Sequence, residues 1–269
     1  MPFTASHAVV ALPFVRTPLL PAAVAVGAMT PDIPLFFNVG IDYWTTHTFP
    51  GMFLVGIPLA LALLSVWRVM LRPAVPHLTP GWVRARLPQD WQDDATTSWL
   101  ALWGGRGATA RERWRSIALL IVALAIGLAT HVFWDLFTHA HRWGSELFPA
   151  LGEPWAGGRY GYSWVGAISS VFGLVVIAAW MLVWMLRRTP TVTEALTPLW
   201  FRMLVPVAIV SCLVISIAVE IRANGIPTTT WTGFAFRAGV SGAAGILIVF
   251  GIACIATQLL AFRARHARA

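Results

Sequence analysis

Long apolar segments separated by polar ones dominate the pattern of this sequence. Five of the apolar segments reach the roughly 20 residues that a helix needs to cross a bilayer. We therefore predict an all-α fold, a polytopic helical membrane bundle with about five full spans. The predicted spans are Phe49–Leu71, Ile117–Phe137, Trp164–Leu186, Met203–Ile221 and Phe236–Phe262.

The first 30 residues follow a different pattern. Phe3–Val15 and Leu19–Met29 are apolar but short, and the turn-forming segment Arg16–Pro18 separates them. At about 1.5 Å per residue, neither piece crosses a bilayer comfortably. We predict an N-terminal re-entrant helical hairpin over residues 3–30, which enters and leaves on one side and is covered by protein or a watery cavity. One strained spanning helix is the competing interpretation.

The composition agrees with a membrane protein. Hydrophobic residues make up 58% of the 269 residues and charged residues only 11%, whereas soluble domains carry roughly a quarter charged residues. The length suits one compact bundle, so we predict a single membrane domain over residues 1–269. All 19 basic residues are arginines. Because they stand between the apolar segments without interleaved aromatic residues, we predict no nucleic-acid partner.

The arginines also predict an orientation, because cytoplasmic loops are enriched in basic residues. The loop over residues 72–115 contains seven arginines, whereas the loops over 138–163 and 222–237 contain two each. We therefore predict that loop 72–115 and the C-terminus are cytoplasmic and that the arginine-poor loops face outward. Membrane lipids are the expected partners, and the sequence predicts no particular oligomeric state.

Ionisable residues beside the spans are candidates for function, because polar groups in a membrane are costly. His131, Asp135 and His139 recur at every fourth position near the end of the second predicted span. On a helix such residues share one face. The HExxH zinc helix places its two histidine ligands at this same spacing, so the pattern indicates a metal site. A buried His–Asp hydrogen bond that holds helices together is the alternative interpretation.

Two further segments join this set if residues 3–30 form a hairpin. The hairpin places His7 beside Asp32, and the arginine pattern places both, with His47, on the outward side. Taken alone, each of these three residues is better explained by helix capping or an interfacial position. The whole set exceeds what one tetrahedral zinc ion needs and could hold two metal ions bridged by a carboxylate and water. Mixed imidazole and carboxylate ligands favour a divalent metal, zinc first, with manganese or iron as alternatives. The predicted ligands are His7, Asp32, His47, His131, Asp135 and His139.

The order and spacing of these motifs match a known pattern. They are Pro-Phe-Thr-x-Ser-His at residues 2–7, Gly-x-Met-x-Pro-Asp at 27–32, Thr-His at 46–47 and His-x-x-Trp-Asp-x-x-Thr-His at 131–139. With them the chain resembles an uncharacterised bacterial membrane-protein family, domain of unknown function 4184. More loosely, it is similar to inner-membrane proteins described as metal-dependent hydrolases. Those proteins usually carry Pro-Asp-x-Asp and His-Arg-x-x-x-His, whereas here Pro34 replaces the second acid and no His-Arg precedes His47. The resemblance implies a metal site in a bacterial cytoplasmic (inner) membrane.

Three classes of function follow. The leading hypothesis is a metal-dependent hydrolase at the outer membrane interface that acts on a lipid or lipid-linked phosphoester, with Asp135 as a ligand or as the general base. Arg159, Arg222 and Arg237 are candidate substrate-binding residues, because guanidinium groups bind phosphate bidentately. The alternatives are a metal-ion or proton-coupled transporter, and a non-catalytic membrane protein in which a metal or hydrogen-bond cluster only stabilises the fold.

Overall fold

The computed structural model describes residues 3–38, 40–192, 194–226 and 231–266. The described residues are mostly helical and contain no β-strand, only an isolated bridge between Pro154 and Tyr160. Five helices are long and apolar enough to span a membrane, which confirms the predicted all-α architecture of a multi-pass membrane protein. In chain order, the first to fifth spans are Phe49–Leu78, Ala110–Thr138, Gly161–Leu186, Leu199–Asn224 and Gly233–Arg263.

Shorter helices make up or connect these spans. The first span consists of Phe49–Leu54, Gly56–Val66, a π-helical turn at Trp67–Leu71 and Arg72–Leu78. The fifth span is the apolar part of the helix Trp231–His266. The remaining short helices are Thr30–Asp32, Ile33–Phe36, Tyr43–His47, Gly81–Arg84, Gln89–Gln92, Ala95–Leu102, Trp143–Leu147, Pro149–Gly152 and Ala156–Gly158.

Both ends of the predicted loop 72–115 are helical. The first span continues to Leu78, and the second begins at Ala110 rather than at Ile117. A capping box marks this start: the Glu112 amide donates to the Thr109 hydroxyl at 3.3 Å, and the Thr109 amide donates to the Glu112 carboxylate at 2.8 Å. The arginines at the start of this helix end the apolar run but not the helix, because a capped helical turn tolerates charge where it faces water.

Two short helices precede the spans. A 3-10 helix, Thr4–Phe14, and an α-helix, Pro21–Met29, pack against each other. Thr17 shapes the turn between them, because its hydroxyl donates to the Phe14 carbonyl at 2.9 Å and accepts the Leu19 amide at 3.2 Å. Proline suits the first position of the second helix, where an amide N–H has no helical partner. The helical hairpin is confirmed, and its re-entry into the membrane stays a prediction.

Backbone packing divides the described residues into two compact units. The hairpin unit contains those within Met1–Pro34, Val39–Ser65 and Leu100–Arg187, and the C-terminal unit contains those within Leu35–Asn38, Val66–Trp99 and Arg188–Ala269. The single membrane domain over residues 1–269 stays a prediction.

Glycines bring the second hairpin helix close to the second span within the hairpin unit. A Cβ atom on Gly27 would lie 2.5 Å from the Leu124 carbonyl oxygen. A Cβ atom on Gly127 would overlap the Val24 carbonyl oxygen and lie 2.6 Å from the Ala28 nitrogen. Small residues permit this kind of backbone-to-backbone packing between membrane helices. The hairpin is therefore held directly against the backbone of the second span.

The third span packs on the first hairpin helix. The Phe3 amide donates to the Ser170 hydroxyl at 2.7 Å, and a Cβ atom on Gly173 would lie 2.8 Å from the Ser6 carbonyl oxygen. These contacts hold the segment from Phe3 to Ser6 against the third span, and Ser6 directly precedes His7.

The fourth and fifth spans pack side by side in the C-terminal unit. The Ser216 hydroxyl donates to the Ala238 carbonyl between them. The Gln258 amide of the fifth span donates to two carbonyls of the π-helical turn Trp67–Leu71, each at 3.3 Å. The Gln258 side chain thus ties the fifth span to this π-helical turn.

Candidate metal centre

The end of the second span provides two residues of the site. His131 and Asp135 lie one helical turn apart on the buried face of this helix. His131 is 0% exposed and Asp135 is 4% exposed. The four-residue spacing therefore places both side chains on one face, as the sequence predicts.

The turn after the hairpin provides Asp32. The Thr4 hydroxyl donates to Asp32 Oδ2 at 2.6 Å, so the beginning and the end of the hairpin meet at this carboxylate. Asp32 Oδ1 is buried and has no hydrogen bond among the described residues. One carboxylate oxygen is thus held in place while the other is left for a further partner.

The helix Tyr43–His47 provides the fourth residue. The Thr46 hydroxyl donates to the Pro31 carbonyl at 2.8 Å, which ties this helix to the turn that carries Asp32. His47 is the last residue of the helix and is buried. Its position depends on a contact between two segments that are adjacent in space but separated by a loop.

Four ligand atoms converge at this point. The Nε2 atoms of His47 and His131 are 3.3 Å apart. Asp32 Oδ1 lies 3.8 and 3.5 Å from these two nitrogens, and Asp135 Oδ2 lies 3.5 and 3.6 Å from them. All four atoms lie within 4.8 Å of one another, and all four residues are buried. Bonds of about 2.0 Å around a tetrahedral zinc ion place its ligand atoms about 3.3 Å apart, so these separations fit one ion.

Hydrogen bonds behind the two imidazoles orient their lone pairs into the cluster. Nδ1 of His131 lies 2.7 Å from the Ala28 carbonyl oxygen, and Nδ1 of His47 lies 2.9 Å from the Tyr43 carbonyl oxygen. A carbonyl oxygen only accepts, so each Nδ1 carries a proton and each Nε2 of a neutral ring presents a lone pair. Histidines that bind metals are usually held in this way.

The arrangement of the cluster could hold a cation. Two nitrogen lone pairs and two carboxylate oxygens repel one another unless positive charge lies among them. A proton shared between two of these atoms would bring them to about 2.7–3.2 Å, the range of direct hydrogen bonds. The two Nε2 atoms, 3.3 Å apart, are within hydrogen-bond reach, whereas the nitrogen–oxygen separations of 3.5–3.8 Å are longer. The nitrogen–oxygen separations are compatible with an ion between these atoms.

The other two predicted ligands lie beside this group. His7 stacks on His131 with ring centroids 4.1 Å apart, and burial lowers the pKa of His7 to about 4. Nδ1 of His139 lies 3.6 Å from Asp135 Oδ2, and burial lowers the pKa of His139 as well. The Nε2 atoms of both rings are buried without a hydrogen-bond partner among the described residues. The described part of the chain offers a single converging group of at least three ligands, which favours one ion over two.

Three further residues contribute to the site, and they were not predicted from the sequence. The Thr4 hydroxyl holds Asp32, and the Ala28 carbonyl holds His131. The Tyr43 ring packs on the His47 ring at 3.9 Å, and burial raises the pKa of this tyrosine. Thr4 stands in the Thr-x-Ser-His motif, which is a signal that could have identified it. A backbone carbonyl has no side-chain signal, so Ala28 could not be found in this way.

The three predicted substrate-binding arginines have separate surroundings. Arg159 belongs to the hairpin unit, and its guanidinium carbon lies 5.6 Å from the centre of the Trp164 ring. Arg222 and Arg237 belong to the C-terminal unit, where Nε of Arg237 donates to the Glu220 carboxylate at 2.6 Å. Glu220 thus neutralises Arg237 locally. A phosphate-binding role for the three arginines stays a prediction.

Comparison with known proteins identifies the family. No curated protein and no solved structure matches the chain significantly. The similarity to metal-dependent hydrolases therefore stays a prediction. A family model described as Domain of unknown function (DUF4184) matches residues 1–262, a range that includes every residue of the cluster. The chain therefore belongs to the family of domain of unknown function 4184.

Proposed function

We propose that this protein is a membrane-embedded, metal-dependent hydrolase, that Asp32, His47 and His131 bind its metal ion, and that Asp135 acts beside it. The convergence of four buried acceptor atoms carries the proposal. Mixed imidazole and carboxylate ligands suit zinc, with manganese or iron as alternatives. Calcium and magnesium prefer oxygen ligands alone, so two imidazoles disfavour them.

Three of the four residues are held for ligation from outside the cluster. His47, His131 and Asp32 each make a hydrogen bond of 2.6–2.9 Å to a group behind them. Catalytic zinc sites use three protein ligands and keep a fourth position open. When bound, the ion supplies a water of lowered pKa and polarises a phosphoryl or acyl oxygen. These three residues are the preferred protein ligands.

Asp135 differs from these three. The Thr138 hydroxyl approaches Asp135 Oδ1 at 3.4 Å, which is a weak contact. A less constrained carboxylate within 3.6 Å of both imidazole nitrogens is suited to accept a proton from water as the general base. We therefore assign the catalytic role to Asp135.

A lipid or lipid-linked phosphoester is the proposed substrate. The cluster lies at the end of a membrane span, and Trp44 and Trp143 beside it are exposed tryptophans of the kind that anchor a protein at the membrane interface. The arginine distribution supports placing this interface on the outer side of a bacterial inner membrane, with a cytoplasmic C-terminus.

A structural metal ion is the second candidate. Zinc sites with four protein ligands are typical of structural sites, and the described cluster offers four. In that case Asp135 is the fourth ligand, and the ion joins the hairpin, the helix Tyr43–His47 and the second span without any turnover.

Replacing Asp135 with asparagine separates these two functions. We expect Asp135→Asn to keep its metal and to lose about 10²- to 10⁴-fold in turnover, because an amide cannot accept the proton. Metal is measured by mass spectrometry of the purified protein, and turnover by phosphate release from a panel of lipid phosphoesters. Asp32→Asn is the matched control and should lose metal. If Asp135→Asn loses metal as Asp32→Asn does and the wild type shows no turnover, the structural function stands instead.

Replacing Thr4 with valine tests how Asp32 is positioned. We expect metal affinity to fall roughly 10- to 100-fold, because hydrogen bonds to metal ligands orient them and are worth this much. Competition against a fluorescent chelator measures the affinity. Thr130→Val is the control, since the Thr130 hydroxyl donates only to the Gly127 carbonyl of its own helix at 2.8 Å. Equal affinity of the two variants would contradict the role of Thr4.

A further inference from the structure

The hairpin unit contains a cavity of about 340 Å³. The first of its lining residues along the chain is Ala140, which directly follows His139. Its lining includes His141, Glu146, Tyr160 and Tyr162. None of these residues belongs to the four-residue metal group. Nδ1 of His139 lies 3.6 Å from Asp135 Oδ2. The chain therefore runs directly from the proposed catalytic centre into the cavity lining.

Contacts within the loop of residues 149–161 hold one wall of the cavity in place. The Trp155 amide donates to the Arg159 carbonyl at 2.7 Å, and the Gly161 amide donates to the Glu153 carbonyl at 3.0 Å. A Cβ atom on Gly161 would lie 2.6 Å from the Trp155 ring. Such close packing leaves this loop little freedom, and ligand sites are usually preformed in this way.

The lining also contains a residue with an unusual backbone conformation. His141 has φ 56°, and no other described residue except glycines has a positive φ. Residues other than glycine avoid this conformation, and those that adopt it tend to occur at functional sites. His141 combines this backbone conformation with a place in the cavity lining.

The lining chemistry favours a polyhydroxylated ring. The Tyr160 and Tyr162 rings stack nearly parallel, within 9°, with centroids 5.5 Å apart. A flat aromatic face packs well on the apolar face of a ring. The Glu146 carboxylate has no ion pair among the described residues, so it is left to accept hydrogen bonds. His141 adds a group that both donates and accepts.

The same lining is less suited to an ammonium group. Recognition of quaternary ammonium uses aromatic rings that surround the cation. Here the two tyrosine rings share one orientation and do not enclose a centre. A sugar ring, by contrast, needs one stacking face and polar groups at its edge.

We propose that this cavity binds the sugar ring of a glycolipid or lipid-linked sugar. As a statement about the substrate of the metal centre, this inference rests on the proposed hydrolase function. Sugar binding itself does not depend on it, because no metal ligand lines the cavity.

Full-length protein is tested in a detergent without a sugar headgroup, since maltoside and glucoside detergents would compete for the cavity. Methyl glucoside is the free-sugar probe, and monoglucosyl diacylglycerol in nanodiscs is the lipid probe, with diacylglycerol as its control. Tryptophan fluorescence and saturation-transfer NMR measure binding. We expect saturable binding that Glu146→Gln and Tyr160→Ala each weaken at least about tenfold, because a site built for hydroxyls rejects mismatched groups. Glu153→Gln, an exposed acid outside the cavity, should bind as the wild type does.

The outcomes separate the possibilities. Tighter binding of the glucolipid than of methyl glucoside supports a lipid headgroup, and equal binding supports a free sugar. Binding of phosphocholine instead of either sugar, with the same dependence on Glu146, would overturn the sugar assignment, as would equal loss in Glu153→Gln. Sugar binding by zinc-loaded protein that shows no lipid turnover keeps this inference and removes the hydrolase. Metal-dependent turnover without sugar binding does the reverse.

Discussion

Replacing His131 with alanine is expected to remove nearly all bound metal and all metal-dependent activity. His131 is 0% exposed, and its Nε2 lies 3.3–3.6 Å from the ligand atoms of the other three residues. The substitution removes a lone pair from the centre of the cluster and leaves the facing carboxylates without a cation to hold them. We expect the wild type to bind about one ion per chain when it is prepared with excess zinc. Mass spectrometry of the purified proteins measures the difference.

His141→Ala is the control for this experiment. His141 is exposed and lies outside the four-residue group, so its removal should leave the metal content unchanged. His131→Gln provides a second variant that keeps more of the side-chain volume, which separates loss of a ligand from loss of packing. A wild type that binds much less than one ion with excess metal would show that the cluster is not a metal site.

Replacing Gly127 with alanine is expected to destabilise the protein by roughly 1–3 kcal/mol, the usual cost of overpacking. The added Cβ would overlap the Val24 carbonyl oxygen and approach the Ala28 nitrogen to 2.6 Å. The hairpin helix must then move away from the second span. Since the Ala28 carbonyl holds Nδ1 of His131, metal affinity should fall together with stability. Thermal unfolding in detergent, with and without a chelator, measures both effects.

Gly251→Ala in the fifth span is the matched control. Nothing lies within 4 Å of a Cβ atom at Gly251. Alanine is favoured over glycine in a helix by about 1 kcal/mol, so this variant should be slightly more stable. The two substitutions thus have opposite expected signs. If both change the unfolding temperature in the same direction and by the same amount, close packing at Gly127 is not what holds the hairpin.

Part of the candidate site could be predicted because it depends on helix periodicity alone. Residues four positions apart on a helix, such as His131 and Asp135, lie on the same face. The structure places both in the cluster. Which of the six predicted ligands converge could not be predicted in the same way. His7 stacks on a neighbouring ring and His139 lies beside Asp135, and both positions depend on side-chain packing within a few ångströms.

The sequence by itself determined the membrane spans and the hairpin, because apolar length and proline turns act locally along the chain. It also determined which face of the second span is polar. Only the tertiary structure decided that the Gly127 backbone meets the hairpin and that the Ala28 carbonyl holds His131, a contact between residues 103 positions apart. The cavity beside Glu146 likewise exists only once the loop of residues 149–161 is packed. Contacts of this kind depend on how backbones approach one another, and no local pattern in the sequence encodes that distance.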